Sequence, residues 1–145
     1  MKLAEVPPIF YDCCTDDPPL YVNRFDFSKP YVRGGYIYAT NGCICVRVKT
    51  DEPDQGDGPP CETLPWNQWP KSDLIALPQT RFVGSVKGSL PTQIGAAWIG
   101  SYYACLLRYH GVTHVEQRGD RTDQPFFFEL GEIEGQLMPC RGGPD

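Results

Sequence analysis

The residue types most able to do chemistry here are seven cysteines, at positions 13, 14, 43, 45, 61, 105 and 140, and two histidines, His110 and His114. Thiolates act as nucleophiles and metal ligands, and imidazoles as bases and ligands, so spacing decides what they can do. No two cysteines are spaced CxxC. Cys13 and Cys14 are adjacent, and Cys43 and Cys45 on one strand point to the same face, so neither pair is set up to grip a zinc ion. His110 and His114 have the spacing of two ligands on one helix, but Gly111 and the β-branched Val112-Thr113 between them place them on different elements. A Cys105 nucleophile with a His110 base has no third group in the sequence to orient it. There is no phosphate-binding glycine loop, no GxSxG elbow and no HExxH. The expectation is therefore a protein without catalytic residues, metal or cofactor, its thiols serving as small buried hydrophobes in a reducing compartment.

The elements that must position any site read as follows. Residues 1 to 30, with Pro7-Pro8 and Pro18-Pro19, form an irregular N-terminal arm, and residues 31 to 145 form the folded domain. YIYAT, Asn41-Gly42 and CICVRV describe a β-hairpin from Tyr36 to Val48 with a type I′ turn, the conformation Asn-Gly most readily supplies. Tyr31-Val32 before Gly34-Gly35 adds a third strand to the meander. The acidic stretch KTDEPDQGDGPPCE, residues 49 to 62, is a solvated connecting loop. SDLIAL reads as one helical turn from Ser72, Arg81 to Val86 as a strand, and Gln93 to Ile99 as strand or helix. Tyr103, Leu106, Leu107 and His110 recur at helical spacing, which predicts an amphipathic helix from Tyr102 to His110, capped by Ser101 and ended by Gly111. Three strands follow, at Val112–Gln117, Pro125–Leu130 and Gln136–Cys140, separated by RGDRTD and GEIEG turns. Glu129, Glu132 and Glu134 read as solvated charge. The fold class is α+β, a single mostly antiparallel-sheet domain with one or two short helices.

A chain of 145 residues buries roughly two thirds of its unfolded surface, so one core is the default. The 13 basic and 18 acidic residues leave a net charge of −5, which offers nucleic acid or an anionic membrane no overall attraction. The longest largely apolar stretch, Ile94 to Leu107, is interrupted by Gly95, Gly100 and Ser101 and is too short to span a bilayer. The opening MKLAEVPPIF lacks the continuous apolar run of a signal peptide, so a cytoplasmic location and no membrane partner are expected.

Two segments carry a family resemblance. Ala39-Thr40-Asn41-Gly42 between two strands resembles the "ATDG" hairpin of bacterial DNA sliding clamps, the β subunit of DNA polymerase III, with Asn41 for the usual Asp. The closing strand Leu137-Met138-Pro139-Cys140-Arg141 resembles their C-terminal "MPMR", with Cys140 for the second Met. Tyr103 with Leu106-Leu107 is similar to the clamp helix "YLLDAL". Motif identity covers about ten residues, and the order of elements is similar from roughly Tyr36 to Arg141. The resemblance implies a clamp-like domain and a hydrophobic pocket for linear peptide motifs of replication or repair proteins. Thr40, Gly42 and Cys43 would form one wall, and Met138, Pro139 and Arg141 the other. A flexible Met and a rigid Pro suit an adaptable apolar surface, and an Arg at the rim suits a carbonyl or carboxylate. A clamp subunit has three such domains and dimerises, so a ring of this chain would be a homo-oligomer of several copies, in bacterial or phage replication. Its DNA-facing side would draw on Arg81, Lys87, Arg108, Arg118 and Arg121. The other reading is a structural interaction module with a clamp-like fold and no DNA function.

Overall fold

The computed structural model describes residues 1–17, 24–66, 74–79, 91–95, 97–117 and 124–139. Nine strands and two short α-helices lie among them, in the chain order α1 (Pro8–Asp12), β1 (Tyr31–Arg33), β2 (Tyr36–Thr40), β3 (Ile44–Lys49), β4 (Leu74–Ala76), β5 (Pro91–Ile94), β6 (Ala97–Gly100), α2 (Ser101–Tyr109), β7 (His114–Gln117), β8 (Phe126–Leu130) and β9 (Ile133–Leu137). Every strand pair whose register is defined is antiparallel, so the architecture is α+β with sheet predominating. The chain folds as two compact units, Met1–Trp66 with Gly131–Gln136, and Asn67–Leu130 with Leu137–Asp145.

In the first unit the strand order is β1-β2-β3-β9. The predicted three-stranded meander is present, with the type I′ turn at Gly34-Gly35 and not at Asn41-Gly42. Arg33 pairs with Tyr36, so Gly34-Gly35 is a two-residue connection, and φ is +59° and +83° at the two glycines. This is the type I′ pattern. At Asn41-Gly42 only the glycine is left-handed, at φ +96°, and the last register pair is Thr40 with Cys45. The turn therefore needs residues 41 to 44. Side chains decide the outcome: Asn41 Oδ1 accepts the Cys43 and Ile44 N–H groups at 2.9 and 3.1 Å. The Thr40 hydroxyl accepts the Gly42 N–H and donates to the Ile44 carbonyl, which gives the backbone local partners that a type I′ turn would not use. Cys43 consequently sits exposed in the turn while Cys45 is buried, and the two do not share a strand face.

The N-terminal segment, expected as an irregular arm, contains a 3-10 turn at Leu3–Glu5 and helix α1. Pro8 in the first turn presets φ for that helix, Ile9 and Phe10 are fully buried, and Cys13 beyond its end is buried too. The acidic stretch after β3 is pinned along its length rather than merely solvated. Glu52 accepts the Leu3 N–H and Asp54 the Gly34 N–H. Gln55 and Val32 exchange both backbone hydrogen bonds at 2.9 and 3.0 Å. Gly58 lies against the Tyr31 ring so closely that a Cβ there would sit 2.1 Å from ring carbons. Its carboxylates cap backbone donors, and its glycines admit an aromatic ring.

In the second unit the order is β8-β7-β4, and β5 pairs with β6 in a separate hairpin. The SDLIAL segment is not helical where described. Leu74–Ala76 is β4, paired with β7 through Ile75 and Val115, because one isolated helical turn is costly to nucleate whereas a neighbouring strand satisfies the same backbone groups. Gln93–Ile99 resolves as the β5–β6 hairpin. Helix α2 buries Tyr103, Leu106 and Leu107 as the spacing predicts. Ser101 is its first residue and not its cap, because β6 runs into the helix without a linker, leaving Gly100 at the cap position with no side-chain bond. The C-terminal end follows the expected pattern: Gly111 has φ +94°, its N–H reaches Arg108 O, and the Val112 N–H reaches Leu107 O, a Schellman motif.

Strand β9 begins at Ile133, not Gln136, and ends at Leu137. Gly131, at φ +61°, turns the chain in a short step, and Ile133 is already buried. Met138 and Pro139 therefore lie past the strand instead of within a closing strand. The predicted strand Arg81–Val86, the RGDRTD turn, Cys140 and Arg141 lie outside the described residues.

Overfilling the space beside the buried Tyr31 ring is the sharpest test of this packing. Gly58→Ala should destabilise the protein by about 1–3 kcal/mol through a displaced ring, and Gly34→Ala, strained at positive φ in open space, by about 1–2 kcal/mol. Urea denaturation compares the two, and Gly34→Asn should recover part of the second loss.

Candidate functional site

The residues that the clamp resemblance assigns to a peptide site are placed as follows. Thr40 is buried, its hydroxyl engaged in the turn, whereas Gly42 and Cys43 are exposed at the tip of the β2–β3 hairpin. Met138 is 47% exposed and Pro139 half-buried. Arg141 lies outside the described residues. Of the basic residues considered for DNA, Arg108 is half-buried on α2 and donates to the Leu77 carbonyl at 3.2 Å. Arg81, Lys87, Arg118 and Arg121 lie outside the described residues.

A second constellation in the first unit was not anticipated. Arg47, in the middle of β3, is only 7% exposed. Its guanidinium carbon lies 4.1 Å from the ring centroids of both Tyr36 and Trp66, and its Nε donates to Glu134 Oε1 at 3.1 Å. The planar cation thus stacks between two aromatic faces and meets a carboxylate at its edge, the arrangement that makes a buried arginine tolerable. Glu134, read from the sequence as solvated charge, is its partner. A charged residue inside the otherwise apolar run Ile44–Val48 was the available signal.

Beneath this stack lies a cluster of Tyr31, Tyr38, Cys45, Cys61 and Trp66. Tyr31 and Tyr38 stack at 5.7 Å, and Tyr38 meets Trp66 at 6.2 Å. The Trp66 indole N–H donates to the Cys61 carbonyl at 2.9 Å and the Tyr31 hydroxyl to the Pro59 carbonyl. The Cys45 and Cys61 side chains belong to the same buried cluster, and the Cys45 thiol donates to the Val46 carbonyl at 3.9 Å. Burial pushes Cys45 well above the ordinary thiol range. Nothing in the spacing of positions 45 and 61 marks them as neighbours, so sequence reasoning could not have paired them.

Met1, Gly35, Tyr36, Lys49, Thr50, Asp51, Glu132 and Glu134 line an open cleft of about 610 Å³ on the same unit. It holds both charge signs and no nucleophile–base pair. His110 ends α2 and His114 opens β7, on different elements as the sequence indicated. Among the described residues no three His, Cys, Asp or Glu side chains are grouped to hold a metal ion, and no helix is long and apolar enough to cross a membrane. Comparison with protein-family models, curated proteins and solved structures finds no match.

Replacing Arg47 by Ala should cost about 2–3 kcal/mol in chemical denaturation, since Tyr36, Trp66 and Glu134 all lose their partner. Arg47→Lys should recover only part of this, because an ammonium cannot stack. A pH dependence follows from Cys14, whose thiol is pushed up to about 12 from an ordinary value of 9.0, first by burial and then by the charge of Asp26. The folded state holds that proton more tightly than the unfolded chain, so its contribution is complete below pH 9 and is lost as the pH rises toward 12. Stability measured from pH 8 to 11 should fall, and Cys14→Ala should flatten the slope by up to about 1.4 kcal/mol per pH unit.

Proposed function

We propose that the protein is a non-enzymatic, sliding-clamp-like binding protein that takes a short linear peptide from a replication or repair partner. The observation that carries this reading is Met138, an exposed thioether immediately after β9, followed by the rigid Pro139. Folding leaves this side chain in water although its neighbour Leu137 is fully buried, and a flexible apolar group so placed suits an apolar peptide anchor. The hairpin tip supports it separately: at Gly42, without a side chain, a peptide backbone can approach closely, and the Asn41 and Thr40 hydrogen bonds hold the turn in shape. The occupant is an extended peptide with apolar anchors and a carbonyl or carboxylate for Arg141.

A second reading, an interaction module of clamp-like fold that does not engage DNA, is favoured by the net charge of −5 and by the engagement of Arg108 with a backbone carbonyl.

Fluorescence anisotropy with a labelled clamp-binding peptide, at fixed salt, tests the first reading. Saturable binding is expected, weakened tenfold or more in Met138→Ala/Arg141→Ala with unchanged circular dichroism. Absence of binding to the folded wild type overturns it. Light scattering with and without duplex DNA separates the two readings, since only a ring-forming homo-oligomer gives several times the monomer mass and a DNA-dependent increase.

A further inference from the structure

We propose that the Thr40 hydroxyl restrains a covalent modification of its neighbour, in which the Gly42 nitrogen closes on the Asn41 side chain and converts Asn41 to aspartate or isoaspartate. The inference concerns the tip of the β2–β3 hairpin and does not rest on peptide binding. Electrophile and nucleophile are already adjacent there. Two backbone donors hold the Asn41 side-chain amide, with Oδ1 accepting the Cys43 N–H at 2.9 Å and the Ile44 N–H at 3.1 Å. Donors so placed draw electron density from Cγ and stabilise negative charge that develops on this oxygen during attack. The nucleophile is the next nitrogen in the chain, so the encounter is intramolecular. Gly42 has no Cβ to obstruct ring closure. It is exposed beside a half-buried Asn41, so water reaches the ring that forms.

One contact opposes the closure. The Gly42 N–H donates to Thr40 Oγ1 at 3.1 Å, and the Thr40 hydroxyl directs its own proton to the Ile44 carbonyl at 2.7 Å. The hydroxyl therefore presents a lone pair to Gly42, and Thr40, at 6% exposure, shields that contact from water. Attack requires the Gly42 nitrogen to leave Thr40 and to give its proton to a solvent base. A bond from this nitrogen to Cγ then forms, the Cγ–Nδ2 bond breaks, and Nδ2 takes a proton from water and departs as ammonia. The five-membered imide adds one water at either carbonyl. The bond from that carbonyl to the ring nitrogen breaks, and the nitrogen regains a proton. One water is consumed and one ammonia released, with no change of oxidation state. Aspartate can keep both acceptor contacts, to the Cys43 and Ile44 N–H groups, and its charge strengthens them. Isoaspartate inserts a main-chain carbon between Thr40 and Cys45, the last register pair of the hairpin.

The test incubates the folded full chain and its Thr40→Val and Thr40→Ser variants at mildly alkaline pH and follows Asn41 by peptide mapping with mass spectrometry. Thr40→Val should convert at least fivefold faster than wild type, and Thr40→Ser, which keeps the hydroxyl, should stay within twofold. Amide hydrogen exchange is read alongside: in Thr40→Val the Gly42 amide should lose protection while the Cys43 and Ile44 amides, bound to Asn41, keep theirs. Equal rates in wild type and Thr40→Val overturn the proposal, as does a Thr40→Ser rate matching that of Thr40→Val. Acceleration with protection lost at all three amides also overturns it, because a loosened turn then accounts for the rate. Wild type is further compared with the same chain unfolded in urea, where the Thr40 contact is gone. Conversion at least tenfold faster than in the folded protein is expected, and equal rates overturn the proposal even if Thr40→Val does not fold.

Discussion

A guanidinium buried in the middle of a strand has to be matched on every side, and the first unit is organised around meeting that demand. Arg47 stacks between Tyr36 and Trp66 and pairs with Glu134, so three segments distant in sequence must be in place before the charge can leave water. An unmatched buried cation costs several kcal/mol, whereas the same cation between two π-faces and a carboxylate costs little. The arrangement is therefore more informative about specificity than about raw stability. It selects the packing in which β9 lies beside β3 and Trp66 folds back over the sheet.

The second constraint is the large phenol beneath it. Tyr31 is 2% exposed, and room for its ring comes from Gly58. The segment that carries Gly58 is acidic and rich in Pro and Gly, a composition that usually signals a solvated connection. Here its carboxylates accept N–H groups of Leu3 and Gly34, and its backbone bridges Val32. Acidic side chains near unpaired backbone donors act as caps, and polar composition by itself does not separate a cap from a free charge. The same dependence on distant partners brings Cys61 into one buried cluster with Cys45, Tyr31, Tyr38 and Trp66.

The resemblance to a sliding clamp rests on two short segments, and what folding does with each bears on its use. The hairpin segment is built as a stiff turn, because Thr40 and Asn41 side chains take up its backbone groups and leave Gly42 and Cys43 facing solvent. The C-terminal segment emerges from β9 with Met138 exposed. The first segment is stiff and the Met138 thioether flexible, so immobilising the second side chain would cost more conformational entropy than holding the turn.

Local patterns were legible from the sequence alone: the β2–β3 hairpin, the meander with Gly34-Gly35, the α2 helix with its glycine stop, and the separation of the two histidines. Each is governed by period, turn chemistry or a cap within a few residues, where backbone sterics and side-chain direction suffice. The turn type at Asn41, the strand at Leu74–Ala76, the start of β9 and the pinned acidic segment were not legible, because competing local conformations lie within about 1 kcal/mol of one another and remote partners choose between them. Of the candidate site, the sequence marked Gly42, Cys43 and Met138 by motif. It did not reveal that Thr40 is buried, that Arg47 is enclosed by aromatics or that Cys45 and Cys61 share one buried cluster. Those are facts of proximity between segments far apart in the chain, and proximity is created by burying apolar surface around a matched charge. A one-dimensional string contains the residues for that packing without stating which of them meet.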